Sequence, residues 1–158
     1  MPVIHVGAVG QSVWRSDDGG TSFRIRTKGM WAECDIRALT TQPGHGEVMY
    51  AGSNSGVFKS TDSGSTWEPS GTEMAGREIW SIGVSRQDRE LVVAGTCPGG
   101  LYMSEDGGDT WREGEGDAIA QDCFDGAMQT RITCVLMHPK ERDTVFAGVE
   151  ADGPRRSR

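Results

Sequence analysis

Apolar residues in this chain come in short bursts. IRALTT (36–41), IWSIGV (79–84) and ITCVLM (132–137) are apolar-rich, and each is followed, after a polar gap, by EVMYAG, LVVAG or TVFAG. Short β-rich runs bounded by Gly, Pro, Asn and Ser predict strands, and their near-continuous apolar character predicts inner strands packed on both faces. The unit beginning at Ile36 reads as four strands. Residues 36–41 are strand A, QPGHG is a turn, 47–52 is strand B, SNSG is a loop, 56–61 is strand C with Val57 and Phe58 as its apolar content, and TWEP opens strand D. The predicted class is all-β.

The unit recurs. Ile36–Gly52, Ile79–Gly95 and Ile132–Gly148 align without a gap, and a shortened copy, VIHVG, opens at Val3. Between strands C and D stands a repeated phrase: SDDGGTSF, STDSGSTW and SEDGGDTW, starting at Ser16, Ser60 and Ser104, each 44 residues after the last. A period of about 40–45 residues suits the four-stranded blade of a propeller. The phrase has a structural reading. Asp accepts bonds from backbone N–H groups just beyond it, Gly takes the positive φ of the turn, and Ser and Thr add local bonds. The aromatic residue that follows anchors strand D. A calcium loop is the rival reading, but the graded ligand spacing and closing Glu of such loops are missing.

These phrases resemble the Asp-box, or BNR repeat, of the β-propellers in sialidases, xyloglucanase-type glycoside hydrolases, the sortilin luminal domain and a photosystem II assembly factor. The matching positions are Ser16, Asp18, Gly20 and Phe23; Ser60, Asp62, Gly64, Thr66 and Trp67; and Ser104, Asp106, Gly108, Thr110 and Trp111. The first box departs mildly, with Ser22 for Thr and Phe23 for Trp. The resemblance covers essentially the whole chain and implies a fold, since those proteins share no single activity.

Composition narrows the function classes. At 158 residues, with 23 glycines and no run of 18 apolar residues, the chain reads as one glycine-rich domain with no membrane span. MPVIHVGAVGQSVW lacks a basic n-region and a small-residue cleavage pattern, so the location expected by default is cytoplasmic. The net charge of −7 argues against nucleic acid as a partner, and Arg155, Arg156 and Arg158 are read as a solvated tail. Four cysteines stand at 34, 97, 123 and 134 without a C-x-x-C pair, so a zinc ribbon is not expected; no metal site and no cofactor are expected. Cys97 and Cys123 are expected to approach each other and are candidates for a disulfide. Cys134 is expected to be buried and inert, and Cys34 is left open.

Propellers usually close with four to eight blades. Here about three and a half are expected: a blade from 3–34 starting at its strand B, blades 35–78 and 79–130, and the first half of a further blade in 131–158. Pro154 and Arg155 replace the apolar pair of Leu101 and Tyr102, and Ser157 stands where a fourth box would begin. A fragment of a longer propeller and a short chain that closes by oligomerising are both compatible with this pattern. Either way, open blade edges are expected to promote association.

The resemblance implies a ligand face bearing the B-to-C and D-to-A loops, with the boxes opposite. The B-to-C loops are 7–12, 53–56, 96–100 and 150–153, and the D-to-A connections are 24–35, 68–78 and 112–131. The last is longer by about nine residues and carries Glu113, Glu115, Asp117, Asp122, Cys123, Phe124 and Asp125. Insertions on a repeat scaffold collect where function is built, although a solvated acidic loop is the plainer alternative. Asp35, Glu78, Asp122 and Asp125 are the candidate catalytic carboxylates of a two-acid glycosidase. Trp31, Arg77, Trp80 and Arg131 are the candidate ligand-binding residues, the tryptophans as sugar platforms or as packing. The sialidase arginine triad and Tyr-Glu pair are not recognised. Tyr50 and Tyr102 fall within strands, and FRIR (23–26) lacks the Pro of the sialidase phrase and follows its box. His5, His45 and His138 are scattered. The leading expectation is a recognition scaffold that binds a protein or glycan. The alternative is a piece of a glycoside hydrolase of the sialidase or xyloglucanase type.

Overall fold

The computed structural model describes residues 1–114, 119–123 and 125–157. It is all-β, with strands gathered in small antiparallel sheets. The first sheet holds β1 (Ile4–Ala8), β2 (Ser12–Ser16) and β3 (Arg24–Ile25). The second holds β4 (Ile36–Gln42), β5 (His45–Ser53), β6 (Gly56–Ser60) and β7 (Glu68–Pro69). The third holds β8 (Glu78–Val84), β9 (Val92–Cys97), β10 (Leu101–Ser104) and β11 (Arg112–Glu113). A hairpin of β12 (Asp122–Cys123) and β13 (Met128–Gln129) follows. The last sheet holds β14 (Ile132–Met137), β15 (Val145–Val149) and β16 (Gly153–Arg156). The final unit therefore contains a third strand where only a half-blade was expected. Pro154 and Arg155 both pair with β15, at its residues Gly148 and Ala147.

The sheets stack in chain order, each presenting a forward face to the next. The first and second sheets enclose Val13, Ile36, Ala51, Phe58 and Trp67, and the second and third enclose Tyr50, Ile79, Ala94, Tyr102 and Trp111. Ile132, Ala147 and Val149 form a smaller cluster with Leu101 and Val135 at the last junction.

One contact explains both the repeated Gly of strand B and the repeated Ile of strand A. A Cβ on Gly7 would lie 2.6 Å from Ile36 Cγ2, one on Gly52 2.7 Å from Ile79 Cγ2, and one on Gly95 2.5 Å from Ile132 Cγ2. Each glycine is a seat for the isoleucine of the next inner strand, and a methyl group there would close it. At Gly148 the nearest atom is Cys134 Cβ at 3.6 Å, so the fourth seat is open.

The forward face of the last sheet is correspondingly exposed. Leu136 is 60% exposed, and Cys134 is exposed rather than buried and inert as expected, because no sheet covers β14 on that side. Cys34 and Cys97 are buried.

The three Ser-x-Asp-x-Gly turns are hydrogen-bonded alike. Ser16, Ser60 and Ser104 Oγ donate to Asp18, Asp62 and Asp106 Oδ1 at 2.8, 2.9 and 2.7 Å. The same hydroxyls accept from the N–H of Gly20, Gly64 and Gly108. The second carboxylate oxygens accept from Ser22, Thr66 and Thr110 at 2.7, 2.7 and 2.6 Å. Gly20, Gly64 and Gly108 have φ of 97°, 73° and 93°, the left-handed conformation expected of the turn. The buried member is the serine, while Asp62 lies exposed. All three carboxyls are held at about 2: by the hydroxyls of Ser22 and Thr110 at Asp18 and Asp106, and at Asp62 by bonds from Thr66, Ser60 and Ser65 that overcome a desolvation penalty.

Candidate functional site

In an antiparallel meander the A–B and C–D turns share one end of a sheet, and the B–C loops and D–A connections share the other. A cavity of about 780 Å³ opens at the second of these ends. Asp35, Arg37, Asn54, Arg77, Glu78 and Tyr102 line it, with the cis Cys97–Pro98 loop, Glu113 and Gln121.

Its geometry follows from an irregularity repeated in every inner strand. Ile36 pairs with Ser53 and Ala38 with Gly52, so Arg37 is an extra residue in β4. The same shift makes Trp80 extra in β8 and Thr133 extra in β14. Such bulges re-aim a side chain out of the regular pleat. The re-aimed residue of one sheet meets the residue just before the isoleucine of the next. Arg37 Nη2 lies 3.1 Å from Glu78 Oε1, and the Arg131 guanidinium lies 4.6 Å from the Trp80 ring centroid.

Arg37 is the hub. Its Nη2 also donates to Asp35 Oδ2 at 3.0 Å, so two of the four candidate carboxylates share one nitrogen. Asp35 Oδ1 further accepts from Gly10 N at 2.7 Å. The Arg37 guanidinium lies 4.9 Å from the Trp80 centroid, so guanidiniums from both neighbouring sheets flank this ring. Trp80 is thus a packed fastener and lacks the open face of a sugar platform. Arg131 is tied in turn to Glu150 at 3.0 Å.

Arg77 stacks 4.3 Å over the Tyr102 ring and donates from Nε to Glu73 O at 2.9 Å, so its orientation is set. Burial raises the Tyr102 phenol, and neighbouring Glu113 adds to that. The Cys97 thiol is pushed up by burial and by Glu78. Trp31 keeps an open face at 64% exposure; its Nε1 donates to Ser55 Oγ at 3.4 Å, next to cavity-lining Asn54.

The inserted connection forms the β12–β13 hairpin. Gln121 Nε2 donates to Gly99 O at 2.6 Å and joins the cavity wall. Asp122 and Asp125 are exposed on the hairpin and do not line the cavity. Glu115, Asp117 and Phe124 lie outside the described residues. Cys97 and Cys123 are free thiols instead of a bridge, with Sγ atoms directed to Gln129 Oε1 and Met128 O. Arg37 and Tyr102 were missed as cavity residues. The register shift that re-aims Arg37 leaves no mark in the sequence, although its place beside a repeated Ile was visible.

Among the described residues no group of His, Cys, Asp and Glu could hold a metal ion, and no helix is long and apolar enough to cross a membrane. The chain is an all-β protein whose sheets correspond to part of a β-propeller. No family model matches it. Over 117 residues, 72% of its length, it is 32% identical to the xyloglucanase of Hypocrea jecorina and spans 14% of that protein. An ancestral GH74 enzyme superposes with a TM-score of 0.78 at 18% identity, over 98% of this chain and 21% of that one. YCF48 from Cyanidioschyzon merolae superposes with a TM-score of 0.61 at 17% identity, over 92% of this chain and 44% of that one. YCF48 bound to D1 peptide gives a TM-score of 0.57 at 16% identity, over 96% of this chain and 50% of that one. The chain is thus similar in sequence to a stretch of the xyloglucanase and shares its fold with part of the GH74 enzyme and of YCF48.

Proposed function

We propose that this chain is a recognition scaffold that binds a glycan or protein segment in the cavity between its second and third sheets. One observation carries the reading: Asp35 and Glu78 are both bound to Arg37 Nη2. A glycosidase divides labour between an acid that gives a proton and a carboxylate that attacks or activates water. Two carboxylates fixed on one guanidinium are matched acceptors for ligand N–H or O–H groups instead. Arg77, Asn54 and Gln121 add planar donors and acceptors around them. The D1 peptide on YCF48 and the glycan substrate named in the xyloglucanase suggest the two ligand classes.

The test is calorimetric titration with a xyloglucan oligosaccharide and with D1 peptide. One of them should bind, and Arg37→Ala should weaken it at least tenfold while the turn variant Asp106→Ala leaves it intact. Binding by neither, or equal loss in both variants, would refute the proposal.

The alternative, a piece of a glycoside hydrolase, is favoured by the identity to the xyloglucanase. It predicts release of reducing ends from xyloglucan that Glu78→Gln abolishes.

A further inference from the structure

The rims of the first two junctions are built on one plan and carry opposite charge. Between the second and third sheets the rim holds a cavity of about 390 Å³, whose lining includes Lys59, Thr61, Glu68, Ser70 and Asp109. Lys59 donates to Asp109 Oδ1 at 3.2 Å, and Glu68 pairs with Lys59 across the strands. The residues 44 positions earlier, between the first and second sheets, are Arg15, Asp17, Arg24, Arg26 and Ser65. One lysine and two carboxylates give way to three arginines and one carboxylate, so the formal charge moves from −1 to +2. In a chain of net charge −7 this rim is a local exception.

His5, Arg15 and Arg24 form one cross-strand row. It lies on the side that the second sheet packs: His5 Nε2 is 2.9 Å from Ser63 O, and Arg15 Nη1 donates to the same oxygen at 2.8 Å. Asp17 reaches Arg15 at 2.7 Å and Arg26 at 3.9 Å, while Arg24 is exposed and has no carboxylate partner among the described residues. The excess of donors continues inward. Arg26 Nε and Trp67 Nε1 are buried without a partner, and Trp67 is 2% exposed. At the next junction Ser70 Oγ accepts from Trp111 Nε1 at 3.3 Å, so that junction is balanced where the first is short of acceptors. Burial, reinforced by Arg15 and Arg26, lowers the His5 imidazole against its bond to Ser63, as a positive surrounding requires.

We propose that this rim binds an acidic polypeptide segment, whose carboxylates accept from Arg24 and Arg26 while Arg15 supplies positive charge behind them. Guanidiniums take carboxylates through paired, charge-assisted N–H···O bonds. An extended segment turns every second side chain to one side, about 6.6 Å apart. Arg24 and Arg26 stand at the same interval, because Arg26 N bonds Val13 O and prolongs the ladder of β3. A Glu-x-Glu sequence therefore matches the two guanidiniums in step. A glutamate also carries its carboxylate into the rim on a slim, flexible stem, whereas a uronate fixes its own directly to a sugar ring. The site goes beyond the cavity reading and shares no residue with it.

The test is fluorescence anisotropy of a labelled, alternating Glu-Ser peptide titrated with the 158-residue chain. Unlabelled Glu-Ser peptide, its Gln-Ser analogue and an oligogalacturonate serve as competitors. The wild type should bind the labelled peptide saturably, and more weakly at about 150 mM than at about 20 mM salt. The Gln-Ser analogue should not compete, and the oligogalacturonate should compete about tenfold less well than the Glu-Ser peptide. Arg24→Glu, at an exposed position, should weaken binding about tenfold or more, and so should the double variant Arg24→Gln, Arg26→Gln. Lys59→Gln, at the matching place in the second junction, should leave it unchanged. No saturable binding, equal competition by the Gln-Ser analogue or the oligogalacturonate, or unchanged binding in both arginine variants each overturns the proposal. Arg24 and Arg26 do not line the loop-end cavity, so the two readings fail separately.

Discussion

Gly95 and Gly148 stand at the same place in adjacent sheets and lead opposite lives. At Gly95 the side chains of Ile132 and Ser81 crowd the missing Cβ to 2.5 Å. At Gly148 the same position is empty to 3.6 Å. One repeated residue is therefore a packing requirement where a neighbour exists and an unused seat where none does. A repeat in a solenoid-like array gets its stability from both its own strands and its neighbour, so the same letter carries different weight along the chain.

The sharpest break of this comparison is Gly95→Val. It forces branched carbon into an occupied seat and should cost about 1–3 kcal/mol through overpacking. Gly148→Val should stay within about 0.5 kcal/mol of the wild type. Thermal or denaturant melts of the two variants test this, and equal losses would show that both seats are filled.

The turns come next. Ser60→Ala leaves the Gly64 N–H without its buried acceptor and should cost about 1–3 kcal/mol. Asp62→Ala removes an exposed carboxylate from the same turn and should cost less, about 0.5–1.5 kcal/mol. Denaturant unfolding ranks the pair, and a larger loss at Asp62 would reverse the division of roles.

A pH effect of similar origin follows. The folded carboxyls of Asp18, Asp62 and Asp106 sit at about 2, below their ordinary value of 3.8. The unfolded chain thus takes up protons first as pH falls. The stability these groups add is fully present above about pH 4 and drains away toward pH 2. Melting temperatures measured from pH 5 to 2 should fall more steeply in the wild type than in an Asp62→Asn, Asp106→Asn double variant.

The smallest expected effect compares two junctions. Trp111 Nε1 donates to Ser70 Oγ and Gly108 O, while Trp67 Nε1 is buried with no partner among the described residues. The residue in the first sheet equivalent to Ser70 is Arg26: Arg26 N bonds Val13 O just as Ser70 N bonds Val57 O. Arg26→Ser should supply the missing acceptor and raise stability by about 0.5–1 kcal/mol. An unchanged or lowered melting temperature would mean that Trp67 is satisfied in another way.

Much of this architecture was legible in advance, because period and turn chemistry are local. The 44-residue spacing, the strand runs and the Ser-x-Asp-x-Gly turns all reappear as structure. What escaped depends on neighbours. Cys134 reads as buried from ITCVLM and is exposed, because burial of an inner strand needs a sheet on each side. Trp80 reads as either a platform or a packing residue, and the sequence does not decide, because Arg37 and Arg131, which occupy its surroundings, arrive from different sheets. Asp35 and Glu78 are visible in the sequence as candidate acids on the D-to-A connections. Their shared partner depends on a register shift that only the paired backbone reveals.

The central claim is that ligand recognition sits at the loop end between the second and third sheets, away from the repeated turns. Hydrogen–deuterium exchange of the chain with and without a saturating xyloglucan oligosaccharide or D1 peptide tests it most directly. The account predicts slowed exchange in segments 35–37, 76–78 and 96–102, with none in 60–67 or 104–111. Protection centred on the turns, or no protection by either ligand, would contradict it.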